Sequence, residues 1–253
     1  MSITLSEKER IEIEYWRNSE LERPGADIVN NLVFKLAEAR ILLHKIERHR
    51  DSFAGARRML EVGAGQGWAA CIVKRLWPQA HVAACDISPY AIASLELWER
   101  VFQIRLDEAF AARSYALPVA PASLDLVFCF EAAHHFVAHR RTFAELARVL
   151  QPGGRCLYLH EPACSSALHW AAHARVNRKR PEVPEDVLVH SKIEALAADA
   201  GLQCETCFDP TIVNRGPAET VYYSLVGRMP LLQRVLPCTA DFVVTKPGNP
   251  RAS

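Results

Sequence analysis

The sequence has no excess of charge, no apolar run of membrane length and no second ligand pair beside its one Cys-x-x-C. Each absence removes a class of function. Thirty basic residues stand against 29 acidic ones, a formal net charge of +1, so no global field holds a polyanion and nucleic acid is not expected as a partner. Residues 1–40 are dense in Glu, Arg and Lys, lack the apolar core of a signal peptide, and are followed by no stretch that approaches a bilayer span. A soluble cytoplasmic protein with no membrane partner is therefore expected. Eight cysteines are scattered along the chain, several inside apolar runs where a thiol behaves as a small hydrophobe, and a disulfide scaffold does not suit that compartment. Cys204 and Cys207 lack the further pair that structural zinc requires, so they read as half-buried or buried thiols in a strand and no metal site is expected.

What is present is enough apolar material for a core. Half of the 253 residues are hydrophobic, which suits one α/β domain with decorations. The segments "SEKERIEIEYW" and "ADIVNNLVFKLAEARILLHKIERHR" show helical spacing, the second through Ile28, Leu32, Leu36, Ala39, Leu43 and Ile46, and "RPG" at residues 23–25 separates them. From residue 58 the period changes. The short apolar runs "RMLEV", "HVAACD", "LDLVFCF" and "RCLYLHE" alternate with the helical stretches "WAACIVKRLW", "PYAIASLELWERVF" and "RTFAELARVL", the pattern of a parallel sheet with crossover helices. "LQPGG" at 150–154 stops a helix before the next strand. Two inserts that read as irregular and carry no readable motif, 163–190 and 210–236, flank a helix "SKIEALAADAGL" and a strand near "QCETCF", and "ADFVVTKP" supplies a last strand. The expected division is a helical cap over 1–56, a main domain over 57–246 and a polar tail over 247–253.

The chemistry concentrates in "MLEVGAGQGWAA", residues 59–70. A glycine-rich turn between a first strand and its helix lets a nucleotide approach the backbone and the free N–H groups of the helix start. A dinucleotide fingerprint wants a small residue where Trp68 stands, whereas Glu61, Gly63, Gly65 and Gly67 read as E-x-G-x-G-x-G. That run resembles the first motif of the class I S-adenosylmethionine-dependent methyltransferases. "HVAACDIS" ends a strand in Asp86, "LPVAPASLDLVFCFEAAHHF" is similar to the family's fourth-strand segment with its histidine pair, and "LARVLQPGGRCLYLHEP" is similar to the segment after it. These matches cover about residues 57–162.

The resemblance implies a Rossmann-like methyltransferase fold, a mostly parallel seven-stranded sheet with helices on both faces and an N-terminal helical cap. It implies S-adenosyl-L-methionine as cofactor. Gly63, Ala64, Gly65 and Gly67 would flank its methionine part, with Glu61 ordering the loop or meeting the amino group. Asp86 would hold the ribose and Ile87 an adenine face, with Phe130 and Glu131 at the end of the fourth strand. Where relatives often carry an acid for the adenine amine, this sequence has Arg113, a donor only, and Ser114 or Tyr115 would substitute. Tyr15 and Trp16 would fold over the cofactor from the cap.

Transfer to oxygen requires a base. His134 and His135 after strand four and His160 with Glu161 at the end of strand five are the candidates, with His169 and His173 in the insert behind them. "ARVNRKRPE" places Arg175, Arg178, Lys179 and Arg180 in the first insert, where they read as a solvated loop or a grip for an anionic acceptor. The expected function is O-methylation of a small molecule such as a glycan or secondary metabolite. N- or C-methylation and a catalytically inactive cofactor-binding partner subunit are the alternatives, and a homodimer is an open possibility. No Asn/Asp-Pro-Pro-aromatic run and no pair of aspartates follows strand four, which disfavours exocyclic-amine methylation of a base and metal-assisted catechol methylation.

Overall fold

In the computed structural model, which describes residues 5–26, 28–179, 183 and 185–248, the apolar runs become the middle of one twisted sheet. The elements in chain order are α1 (Leu5–Asn18), α2 (Ile28–Arg48), α3 (Arg50–Ala54), β1 (Arg58–Val62), α4 (Trp68–Leu76), β2 (His81–Asp86), α5 (Pro89–Ile92), α6 (Leu95–Phe102), β3 (Glu108–Ala111) and β4 (Leu124–Phe130). After them come α7 (His139–Val149), β5 (Leu150–Cys164), α8 (His169–Lys179), β6 (Leu188–Val189), α9 (His190–Asp199), β7 (Gln203–Phe208), α10 (Pro217–Gly227), α11 (Pro230–Gln233) and β8 (Cys238–Thr245).

The strand order is β3-β2-β1-β4-β5-β8-β7, with β6 pairing the far end of β5. β1 to β6 run parallel where they pair, and β8 runs antiparallel to both β5 and β7. The chain winds outward from β1 through β2 to β3, then returns to β4 on the other side of β1. That reversal opens a crevice at the carboxyl ends of β1 and β4, where sheets of this kind take ligands. Along β1 the side chains alternate: Leu60 and Val62 join one buried layer with Phe143 and Leu146, while Met59 joins the other with Phe53, Phe128 and Trp98. Glu61 lies on the Met59 face, toward α4.

The structure departs from the sequence reading in five places. The sheet has eight strands, not seven, because the two-residue β6 extends β5. Strand β3 went unread because "EAFA" lies at the sheet edge, largely exposed, and shows no apolar alternation. The inserts are not irregular: 163–190 contains α8, and 210–236 contains α10 and α11. "PYAIASLELWERVF" breaks into α5 and α6. In α2 the buried residues are Asn31, Ile41, Leu42, Lys45 and Ile46, whereas Leu36 and Leu43 are exposed and Leu32 and Ala39 are half-buried. The apolar spacing misplaced the face because two polar side chains belong to it.

Lys45 is wholly buried, with Nζ 2.7 Å from Asp209 and 2.8 Å from Asp241. His49 Nε2 lies 2.9 Å from Asp241, and this knot joins α2 to β8 and to the end of β7. Cys204 and Cys207 are half-buried free thiols on β7. No helix among the described residues is long and apolar enough to cross a membrane. Arg180 and residues 249–253 of the tail lie outside the described residues.

Candidate functional site

The glycine loop is fastened from both ends. Gly67 stands as N-cap of α4 with φ 82° and has no side chain to cap with, so the Glu61 carboxylate does the work from β1, accepting the Ala70 N–H at 2.7 Å. Burial raises the Glu61 pKa well above the usual carboxylate range. Gly65 has φ 52°, and a Cβ there would come within 2.9 Å of the Trp16 indole. The second glycine is thus required twice, for its conformation and for its close approach. Gln66 accepts from Asn31 Nδ2 at 3.0 Å and Trp98 Nε1 at 3.2 Å and donates to the Glu22 carbonyl at 2.8 Å, anchoring the loop to the helical layer.

Asp86, at the carboxyl end of β2, accepts from Gly65 N at 2.9 Å and Ser88 N at 2.8 Å. Burial lifts its pKa to about 6 against the pull of those backbone donors. Ser88 caps α5 through its hydroxyl, which leaves Asp86 free of that task. Over this corner lies α1. Its Glu9 takes Arg113 Nε at 3.1 Å and the Tyr115 hydroxyl, and its Glu12 takes Trp16 Nε1 at 3.2 Å and faces His135 Nδ1 at 3.6 Å. Burial, then the charge of Asp86, pushes Glu12 up to about 7.

The opposite wall comes from the ends of β4 and β5. Glu131 and His160 both have left-handed backbones, φ 50° and 59°, a strain non-glycine residues accept where side-chain placement requires it. The β5–β8 register shifts between Tyr158 and Glu161, and His160 N donates to Asp241 Oδ1 at 2.9 Å. The His160 ring is buried, its Nδ1 has no hydrogen-bond partner, and its Nε2 lies 3.4 Å from Glu131. Burial, with Lys45 and Arg215 nearby, drives its pKa down to about 3. Burial likewise holds Glu131 up at about 7.

Glu161, fully buried, accepts from the backbone of Ala132 (3.0 Å), Ala133 (2.8 Å) and His134 (3.1 Å), and from His134 Nδ1 at 2.8 Å. An ionised carboxylate only accepts, so the proton sits on Nδ1 and leaves the Nε2 lone pair available. Burial opposes the imidazolium, but the bond and charge of Glu161 outweigh it and raise the His134 pKa.

These groups share one cleft of about 1160 Å³. Tyr15, Trp16, Glu61, Gly63, Ala64, Gly65, Asp86, Ile87, Ser114, Tyr115, Phe130, Glu131, His134, His135 and His160 all line it. Gly67 does not; it packs on Leu95 as a helix cap. Ser114 and Tyr115 are engaged by Thr142 and Glu9. His169 and His173 do not line the cleft either, and His169 is bound to Asp186 at 3.0 Å. Arg175 reaches the rim, paired with Glu219 at 2.9 Å, and Arg178 does not. The sequence reading missed Glu9, Glu12, Gln66, Glu185 and Arg215. Only Gln66, inside the glycine motif, carried a positional signal. His134, His135 and Glu185 each place a donor atom within 4.8 Å of the others, and with His134 committed to Glu161 and His135 facing Glu12 we read the trio as a polar wall.

Residues 60–158 match the family model described as "Methyltransferase domain". The matched segment is less than half of the chain and marks a likeness to methyltransferase domains. It runs from β1 to β5 and so contains the glycine loop, Asp86 and the histidine pair. Malonyl-[acyl-carrier protein] O-methyltransferase of Hahella chejuensis is 37% identical over 103 residues, 39% of this chain and 34% of that protein. Demethylmenaquinone methyltransferase of Thermus thermophilus is 30% identical over 141 residues, 55% of this chain and 62% of that protein. The chain thus spans a third to under two thirds of these curated relatives. Among solved structures, geranyl diphosphate C-methyltransferase of Streptomyces coelicolor superposes with a TM-score of 0.63 at 12% identity, covering 94% of this chain and 98% of that one, a likeness of fold.

Proposed function

We propose that the protein transfers a methyl group from S-adenosyl-L-methionine to a hydroxyl oxygen of a small-molecule acceptor, with His134 as the base that takes the hydroxyl proton. The observation that carries the reading is the convergence on one cleft of the glycine loop, Asp86 and a histidine whose Nδ1 is held by a buried carboxylate. The residues suit the cofactor. Gly63 lies so close to Ala132 that a Cβ would sit 2.8 Å from the alanine methyl, so the loop presents bare backbone. Each Asp86 oxygen accepts one N–H and keeps capacity for a ribose hydroxyl. Ile87 beside it offers an apolar face, and Glu12 and Glu131 offer carboxyls for the ammonium.

S-adenosylmethionine supplies an electrophilic methyl whose sulfur becomes a neutral thioether on transfer. The protein's part is alignment, worth up to roughly 7–11 kcal/mol, and proton removal, typically about 10²- to 10⁴-fold. His134 suits the second task better than His160, whose pKa of about 3 makes it a weak base. His135 faces Glu12, and we assign it to orienting the acceptor. The relative named for O-methylation of a malonyl carrier supports oxygen as the target. Residues 1–56, through Glu9, Tyr15 and Trp16, would act as a cap over the cofactor.

The test is incubation with methyl-labelled cofactor and a fractionated metabolite extract, read by mass spectrometry. Label in a discrete small molecule, reduced at least a hundredfold in His134→Asn, is the expected result. Calorimetric cofactor binding with no labelled species would overturn the enzyme reading in favour of a binding subunit. Label on nitrogen or carbon would overturn the choice of oxygen.

A further inference from the structure

We propose that α8, α10 and α11 form a docking surface for an anionic phospholipid bilayer. The two inserts that the sequence left without a motif fold into these three helices, and their outer side is unusually apolar. Trp170 is 76% exposed and Leu231 82%, and Val221, Leu225, Met229 and Val235 of the same elements and their connections are all exposed as well. Scattered exposed apolar side chains are ordinary; an indole and five aliphatic tips on one set of joined elements are not.

The exposure is not fraying. Arg175 of α8 pairs with Glu219 of α10 at 2.9 Å, Gln233 of α11 donates to the Val226 carbonyl of α10 at 3.0 Å, and Ser165, just before α8, donates to the Val235 carbonyl at 2.8 Å. These bonds tie the three helices together.

Charge identifies the occupant. Residues 162–181 and 220–240 contain no Asp or Glu, in a chain with 29 of them. Among the described residues of the same helices and the turns after them, Arg178, Arg228 and Arg234 are exposed basic side chains. Exposed basic side chains thus accompany the exposed apolar ones on these helices, whose one acid, Glu219, is paired with Arg175. A protein partner or a second copy would need only the apolar part. A bilayer surface uses both, burying Trp and aliphatic tips at the headgroup boundary while arginines meet the anionic lipid. This is a peripheral contact, for which no spanning helix is needed. The inner sides of the same helices reach the cleft through Arg175, Val176, Glu219 and Tyr223, so docking would hold the cleft rim near the lipid.

The test is co-sedimentation of the full chain with vesicles of equal parts phosphatidylcholine and phosphatidylglycerol, against vesicles of phosphatidylcholine alone. Binding to the anionic vesicles that weakens with salt is expected. Arg228→Gln with Arg234→Gln should lower the partition coefficient roughly thirtyfold, at about 1 kcal/mol per basic side chain, and Leu231→Asp should also lower it. None of these residues lines the cleft, so cofactor binding and the thermal midpoint should stay at wild-type values. The salt series on the unaltered protein gives an answer that needs no variant. Absence of vesicle binding, equal binding to both compositions, or a solution dimer that Leu231→Asp dissociates would overturn the proposal.

Discussion

Replacing Glu161 by Gln tests the base assignment at its root. The Glu161 carboxylate accepts four N–H groups: Ala132 and Ala133 at Oε1, and the His134 backbone and ring at Oε2. Glutamine keeps one oxygen, so its NH₂ must face one of these pairs. The cheaper arrangement leaves the oxygen on Ala132 and Ala133 and turns the NH₂ to His134. The ring can then move its proton to Nε2 and accept at Nδ1, which leaves a single orphan, the His134 backbone N–H. A buried donor without an acceptor costs about 1–3 kcal/mol, and that is the expected loss of stability in urea unfolding. The functional loss is larger, because the cleft-facing nitrogen now carries a proton and cannot take one, so the contribution of about 10²- to 10⁴-fold should disappear. With the anion gone, the His134 pKa should fall from its raised position. Nitrogen-15 NMR of the imidazole reports tautomer and pKa without knowledge of the acceptor. A variant that keeps the proton on Nδ1 and an unshifted pKa would refute the reasoning.

Three further outcomes are expected. Lys45→Met leaves Asp241 buried without its ammonium partner and should cost about 3–5 kcal/mol in chemical denaturation; a loss under 1 kcal/mol would show that the knot contributes little. Gly65→Ala, at φ 52° and against the Trp16 indole, should lose about 1–2 kcal/mol from the backbone alone and weaken S-adenosylhomocysteine binding in calorimetry, and wild-type affinity would contradict the close approach described. The cofactor-free protein should melt higher near pH 5 than at pH 7.5. Glu12 and Glu131 (about 7), Asp86 (about 6) and Glu61 bind protons more tightly folded than unfolded, so their contribution is lost as pH rises above the ordinary carboxylate range. His139 (about 4) and His160 (about 3) oppose them below pH 6.5 but are fewer. Below about pH 4 the sign reverses, as His160 and then Asp241, held near 2 by His49 and Lys45 against the cost of burial, take up protons. A midpoint that rises steadily from pH 4 to 7.5 would contradict this balance.

The parts of the fold governed by short-range pattern were legible. β1, β2, β4 and β5 announce themselves as apolar runs between helical periods, and the glycine spacing with Asp86 marks the crevice. What escaped depends on partners distant in sequence. Glu9 and Glu12 sit on a charged helix among many similar acids, and only the fold brings them to Tyr115 and His135. Lys45 reads as an exposed helical lysine until Asp209 and Asp241 arrive beside it, which is why the buried face of α2 was misassigned. Glu161 looked like a second base candidate next to His160, yet its four donors make it the support for His134. The histidines of α8 shared a residue type with the site and nothing else, because the helix turns them toward Asp186 and away from the cleft.

The knot around Lys45 also bears on how the molecule assembles. The two carboxylates that meet this ammonium lie 164 and 196 positions further along the chain, and desolvating the cation is costly until both are in place. During translation α2 leaves the ribosome long before β8 exists, so its inner face must stay hydrated, or be shielded by a chaperone, until β8 has been made. Closure of this part of the architecture therefore joins segments synthesised far apart in time, and nascent chains stalled before β8 should remain open to protease along α2.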